Sequence, residues 1–182
     1  AMGRITVKDL WETAPKSAEI VVSDYDEQKA QALATSFGSQ RVTAVKMDVR
    51  NHQEAARACQ NADVILNSVQ YQYNLEVMEI ALAAKAHYVD LGGLFHYTRK
   101  QLALHDRFVQ AGLTAVLGVG ASPGITNVLA RHAADQMEQV AAIHIRLGSV
   151  DRTRYRPKPV LAVSYSLKTI LEEFSYEPAL FT

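Results

Sequence analysis

Short apolar bursts alternate with amphipathic stretches along this chain, and several of the bursts end in an acid or a glycine. Ile5, Val7, Leu10 and Trp11 recur at helical spacing as far as Pro15, which predicts a helix over 3–14. The burst "AEIVVSDYD" predicts a strand with Asp24 at its carboxyl end. "EQKAQALATSF" predicts a helix closed by Gly38, "RVTAVKMDV" a second strand ending at Asp48, and "NHQEAARACQN" a helix with Asn51 as its N-cap. A strand over "ADVILNSV", a helix over "NLEVMEIALAAKA", a strand over "HYVDLGG", a helix over "YTRKQLALHDRFVQAG" and a fifth strand over "LTAVLGVG" follow. One more helix begins after Gly124 and runs to about Met137.

Strands that are apolar throughout, separated by helices of roughly 10 to 15 residues, are βαβ units of a parallel sheet covered on both faces. The fold class is therefore α/β, a Rossmann-like doubly wound parallel sheet, with the start of a second α/β domain behind it. The chain begins on a helix, and in the strand order 3-2-1-4-5-6 that helix is fed by strand 1. The five visible strands are then strands 2 to 6. The expectation is that about ten residues ahead of Ala1 carry strand 1 and the pattern G-x-G. A gap is expected between the strands at 19–23 and 63–68. On this reading Gly3 ends a phosphate-binding loop; the competing reading makes Ala1-Met2-Gly3 a cloning remnant before an ordinary helix. Asp24 bears on the choice. A dinucleotide fold places an acid about 20 residues past its glycine loop, where it holds the adenosine ribose hydroxyls. Asp24 stands 21 residues past Gly3.

Past residue 138 the texture changes. "VAAIHIRLGSV" alternates apolar and polar residues, "DRTRYRPKP" is a charged, proline-broken loop, "VLAVSYS" predicts a short strand and "LKTILEEF" a helical turn or two. That is too little to bury a core of its own. Residues 1–138 are read as a dinucleotide-binding domain without its first strand, and 139–182 as the beginning of a substrate or dimerisation domain that continues past Thr182.

Composition narrows the function classes. The 19 Lys and Arg balance 19 Asp and Glu, so no nucleic-acid partner is implied. The chain is 48% hydrophobic, yet no uninterrupted apolar run approaches the roughly 18 residues of a membrane span. Cys59 stands alone, which excludes an internal disulfide and points to a reducing, cytoplasmic setting. A buried inert thiol is favoured there over a reactive one. The six histidines include no i, i+4 pair, so no metal site is expected.

"ADVILNSVQYQYNLEVMEIALAAKAHYVDLGG", "VLGVGASPGITNVLARHAAD" and "SYSLKTILEEFSYEPALF", in that order, resemble the saccharopine dehydrogenase group, including saccharopine reductases and L-lysine dehydrogenase-like members. The resemblance covers nearly the whole chain. It implies a protein about twice this length, with a Rossmann domain and an α/β substrate domain, forming a homodimer through the second. It also implies an NAD(P)-dependent oxidoreductase of the C–N bond of an amino acid or its imine. The competing class is a non-catalytic dinucleotide-binding or interaction domain.

Within that frame the cofactor-binding candidates are Gly3, Asp24, Tyr25, Asp48, Val49, Asn67, Ser68, Val69 and Tyr71. Asp48 is placed against the adenine amino group, or else exposed as an N-cap-like acid. Asn67, Ser68 and Val69 flank the ribose and pyrophosphate, or form a polar connector. Asp90 and His96 are the catalytic candidates, although Asp90 also reads as a strand-exit residue and His96 as a surface histidine at a helix start. Gly92 and Gly93 let backbone approach a ligand. Ser122 reads as N-cap, Pro123 as first helical residue and Gly124 as a point of close approach, together an anion site for a substrate carboxylate or a well-capped structural helix. Arg152, Arg154 and Arg156 read either as a dicarboxylate clamp or as a solvated linker. The acids around Asp24, with no arginine before Arg41, predict NAD in preference to NADP, although Lys29 lies within a helical turn or so.

Overall fold

The structure, a computed structural model, describes residues 2–148, 150, 152, 154–156 and 167–177. Helix α1 (Met2–Thr13) leads into strand β1 (Ile20–Asp24), α2 (Glu27–Thr35), β2 (Val42–Lys46), α3 (His52–Ala58) and β3 (Val64–Asn67). A 3-10 turn (Tyr71–Tyr73), α4 (Asn74–Ala84), β4 (His87–Asp90), α5 (Phe95–Leu102), α6 (His105–Gln110) and β5 (Ala115–Val116) follow. Every pairing between named strands is parallel. β1 lies beside β2, with Ile20 opposite Val42 and Asp24 opposite Lys46. β3, β4 and β5 form a second sheet, with Asn67 opposite Asp90 and Tyr88 opposite Ala115. Among the described residues β1 and β3 do not pair with each other, so the strands fall into two sheets. The break falls where the sequence placed it.

Local signals explain the element boundaries. The Asp26 side chain accepts from the Lys29 backbone N–H at 3.3 Å and caps α2. Arg41 donates to the carbonyls of Trp11 and Pro15 at 3.2 and 3.3 Å, which engages the carbonyl end of α1. Asn51 occupies the N-cap position of α3 without a capping bond; its amide instead donates to Glu54 at 2.7 Å. The predicted helix over "YTRKQLALHDRFVQAG" is two helices, α5 and α6, separated at Ala103 and Leu104. The fifth strand keeps two residues in the ladder where "LTAVLGVG" predicted a longer one.

Two apolar clusters hold this part together. Val7, Ile20, Val22, Ala30, Ala34 and Val42 form one, between α1, α2 and their sheet. Val77, Met78, Ala81, Tyr88 and Phe108 form the other, between α4, α6 and β4. Arg107 of α6 clasps Glu79 of α4 with two hydrogen bonds of 2.5 and 2.7 Å. That pair is largely exposed and screened by solvent, so the apolar contacts dominate.

The chain divides into two compact units, 1–125 and 126–182, ahead of the domain boundary expected at 138. In the second unit, most of α7 (Ile125–Ala134) and α8 (Leu167–Ser175) are helical, the latter as "LKTILEEF" predicted. The described part of "VAAIHIRLGSV" forms no strand, and "VLAVSYS" lies outside the described residues. None of the described residues from 126 onward is buried.

Candidate functional site

Parallel strands bring their carboxyl ends to one edge of each sheet, and Asp24, Asn67 and Asp90 end β1, β3 and β4 there. Asp24 ends β1, half-buried, with its Oδ1 accepting the Asp26 N–H at 2.9 Å. Tyr25 beside it is exposed, and the Lys29 ammonium lies 5.9 Å from its ring centre. Lys29 is paired with Asp26 at 3.0 Å, and its hydrogen bond holds the Asp26 carboxyl below the usual range. Asp48, just past β2, is gripped by Arg50 through contacts of 2.6 to 3.1 Å, which hold its carboxyl down to about 2. Asp48, read as an adenine contact or else an exposed N-cap-like acid, is an ion-paired carboxylate. Val49 packs against the Tyr88 cluster. Gly3 lies in the first turn of α1, and a methyl added there would meet nothing within 4 Å.

At the ends of β3 and β4 the expected and observed roles differ. Asn67 is buried, and its side chain turns inward: Nδ2 donates to Asn74 Oδ1 at 2.9 Å and to the Tyr88 hydroxyl at 3.0 Å, while Oδ1 accepts the Val69 N–H at 3.0 Å. Its side chain shapes the loop from within instead of lining it. Ser68 is half-buried and Val69 exposed, so this loop's outer surface belongs to them. Tyr71 is buried, edge-on to Tyr97 at 5.0 Å and pressed against Gly93. It packs inside the fold, whereas the sequence reads it as a cofactor contact.

Asp90 is 1% exposed. Its Oδ1 accepts the Gly92 and Gly118 N–H groups, each at 2.8 Å, and its Oδ2 accepts the Tyr88 hydroxyl at 3.0 Å and Gln101 Nε2 at 2.6 Å. A carboxylate has about four acceptor positions, and these four donors fill them. Asp90 is therefore not placed to take or give a substrate proton, which corrects its reading as a direct catalytic group. His96 sits half-buried in the first turn of α5, its ring tilted against that of Tyr97 with centres 4.9 Å apart. Gln101, Asn74 and Tyr88 were not singled out by the sequence. The one available signal was Tyr88 two positions before Asp90, hence on the same face of β4.

The loop after β4 and the "GASPG" turn do meet. A methyl on Gly92 would lie 2.8 Å from Pro123 Cγ, and one on Gly120 would strike the Leu91 carbonyl. Gly92 has φ +94, a conformation side chains rarely adopt. The space freed by these glycines is filled by the chain's own atoms, so their small size serves packing between the loops. Ser122 and Pro123 are exposed, in a turn closed by the Gly120–Gly124 bridge, and α7 begins only at Ile125. Ser122 and Pro123 therefore lie in the turn ahead of α7, and Pro123 is not its first residue. Arg152, Arg154 and Arg156 are exposed. Cys59 is half-buried against Met47 sulfur at 3.6 Å, and burial pushes its thiol up. Among the described residues no helix is long and apolar enough to cross a membrane, and no cluster of three or more His, Cys, Asp or Glu could hold a metal.

Burial, reinforced by the neighbouring Asp90 carboxylate, pushes the Tyr88 hydroxyl well above the usual tyrosine range. The folded chain keeps this proton at pH values where an unfolded tyrosine, of pKa about 10, has lost it. Tyr88 thus contributes fully below about pH 10, and its contribution is lost as pH rises beyond that. Denaturation followed from about pH 8 to about pH 11 is expected to show a steeper loss of stability above pH 10 than in Tyr88→Phe. Equal slopes would mean the hydroxyl is in water.

Comparison with known proteins adds the following. The family model of the saccharopine dehydrogenase NADP binding domain matches residues 1–116. A carboxyaminopropylagmatine dehydrogenase of Synechocystis sp. is 28% identical over 124 residues, 63% of this chain and 31% of that protein. A carboxynorspermidine synthase of Vibrio cholerae serotype O1 is 30% identical over 100 residues, 47% of this chain and 24% of that protein. The apo, histidine-tagged saccharopine dehydrogenase (L-Glu forming) of Saccharomyces cerevisiae matches in structure with a TM-score of 0.63 at 24% identity, over 74% of this chain and 28% of that one. It is a likeness of fold, the Rossmann-like α/β arrangement. The chain spans less than a third of the length of each of these relatives.

Proposed function

The chain belongs to the saccharopine dehydrogenase NADP-binding domain family, and from that premise we propose that its gene product is an NAD(P)-dependent oxidoreductase acting on a C–N bond. The substrate class is an amino acid, or a carboxyl-bearing amine of the kind named in the agmatine and norspermidine relatives, or the corresponding imine. The observation that carries this reading is Asp24. It is a half-buried carboxylate at the carboxyl end of a parallel strand, with one oxygen held by the Asp26 N–H and the other left to accept from ribose hydroxyls. The residues fit a dinucleotide: Asp24 would hold the adenosine ribose, with Tyr25 at its side and the Ser68–Val69 backbone along the next loop. A bound nicotinamide supplies hydride transfer. The chain's own part is to bind and orient it, and to present the joined loops after β4 and β5 to the substrate. Assay of the intact gene product against amino acids and carboxylated polyamines tests the proposal. Dinucleotide binding without turnover of any of them would leave a non-catalytic binding domain.

Within this reading the cofactor is NAD ahead of NADP, despite the name of the family. A 2′-phosphate carries about 1.5 to 2 negative charges and would face Asp24. Of the nearby cations, Lys29 pairs with Asp26, Arg50 with Asp48, and Arg41 with the carbonyls of Trp11 and Pro15. That leaves Lys46, opposite Asp24 on β2, as a single mobile ammonium against those charges. Catalytic efficiency is expected to favour NAD by ~10-fold or more. Asp24→Ser combined with Tyr25→Arg should shrink or invert that ratio, and equal efficiency with both cofactors in the unmodified enzyme would remove Asp24 from the ribose.

A further inference from the structure

We propose that Asp90 is a positioning residue whose buried carboxylate sets the loops after β4 and β5 against each other and, through Tyr88 and Asn67, fixes the loop after β3 as well. The ladder alone cannot do this. β5 contributes Ala115 and Val116 to it, and beyond them the chain leaves the sheet. What holds the next residues is Asp90: Gly118 N–H donates to its Oδ1 and Val119 N–H to its backbone carbonyl, each at 2.8 Å. The same Oδ1 takes the Gly92 N–H, so one oxygen joins both loops.

The other oxygen belongs to a closed ring of side chains. Asn67 donates to the Tyr88 hydroxyl, Tyr88 donates to Asp90 Oδ2, and Gln101 donates to the same oxygen; Asn74 donates to Gln101 Oε1 at 3.5 Å and accepts from Asn67. All five side chains are buried, and they come from β3, β4, α4 and α5. Asn67 then passes the constraint to the Val69 N–H. The four donors to the Asp90 carboxylate, two backbone N–H groups and two side chains, are all neutral, so it is held entirely by hydrogen bonds whose geometry the loops must keep. The dinucleotide-facing and substrate-facing loops are thereby set by one group.

The catalytic consequence rests on the oxidoreductase reading above, whereas the structural one does not. In the intact gene product, Asp90→Asn is expected to speed amide exchange at Gly118 and Val119 by on the order of 10-fold or more. It should also lower kcat on the order of 100-fold, as expected for reacting groups displaced by about 1 Å, while the pH–rate profile keeps both limbs. Gln101→Met alters a side chain sealed away from substrate, and should reproduce part of both effects. The double variant should lose less than the two single losses combined. Loss of one limb of the pH profile with exchange unchanged would make Asp90 a direct proton carrier and overturn the proposal. Unchanged exchange with undiminished kcat would overturn it equally. Should the gene product turn over no amine or imine, the oxidoreductase reading fails alone, because exchange at Gly118 and Val119 reads the positioning without turnover. If Asp90→Asn does not fold, Gln101→Met and Tyr88→Phe carry the same comparison.

Discussion

Replacing Phe108 by alanine is expected to cost about 3–5 kcal/mol, enough to unfold much of a chain whose total stability is in the ordinary range of about 5–15 kcal/mol. Phe108 is 3% exposed and packs with Val77, Met78, Ala81 and Tyr88, so its removal leaves a void bounded by three elements. α6 is only six residues long and cannot persist on its own propensity. Tyr88 is itself a member of the buried ring of side chains around Asp90, so the void also loosens that ring. Val109, the next residue, is 62% exposed, and Val109→Ala should stay within about 0.5 kcal/mol. Urea denaturation of both variants makes the comparison. A loss below about 1 kcal/mol in Phe108→Ala would mean that α6 is not seated on α4 and β4 as described.

Gly124→Ala is expected to cost roughly 3 kcal/mol, from left-handed backbone strain together with a steric clash. Gly124 has φ +126, and a methyl there would strike the Gly120 carbonyl and come within 2.5 Å of the Gly120 nitrogen. Both obstacles are backbone, which cannot rotate away. The Gly120–Gly124 bridge and the Ile125 N–H bond to Gly120, 2.9 Å, would have to open together. Gly3→Ala provides the opposite sign. Gly3 is helical with open space around it, and alanine there should stabilise α1 by about 0.5–1 kcal/mol. Thermal denaturation of the two variants should therefore shift in opposite directions; a neutral Gly124→Ala would refute the turn geometry.

Much of the first unit was legible because its signals are local. "AEIVVSDYD" and "RVTAVKMDV" mark strand ends by the step from β-branched residues to acids, and the parity of helices and strands located the break between β1 and β3. The misreadings share one cause. Whether Asp90 reaches a substrate depends on Gln101 and Gly118, 11 and 28 residues away along the chain, and no periodicity reports such distances. Asn67 and Tyr71 look like polar loop residues until α4 and α5 close over them. Ser122-Pro123 carried the signature of a helix start, but the Gly120–Gly124 bridge delays α7 until Ile125. The separation of α5 from α6 likewise depends on packing that a continuous helical pattern conceals.

The meeting of Pro123 with Gly92 and Gly118 also constrains how such a gene can drift. A side chain gained at position 92 or 118 runs into the Pro123 ring, and one gained at 120 or 124 runs into the main chain. The outer face of α2, by contrast, presents Gln28, Gln31 and Thr35 to open surface, where nearly any residue is tolerated. "DLGG" and "GASPG" look like two separate words in the sequence, yet neither can be respelled unless the other changes in the same lineage. Across descendants of a common ancestor they are expected to behave as a single heritable character, and a homologue that has lost one of them should be found to have remodelled the other.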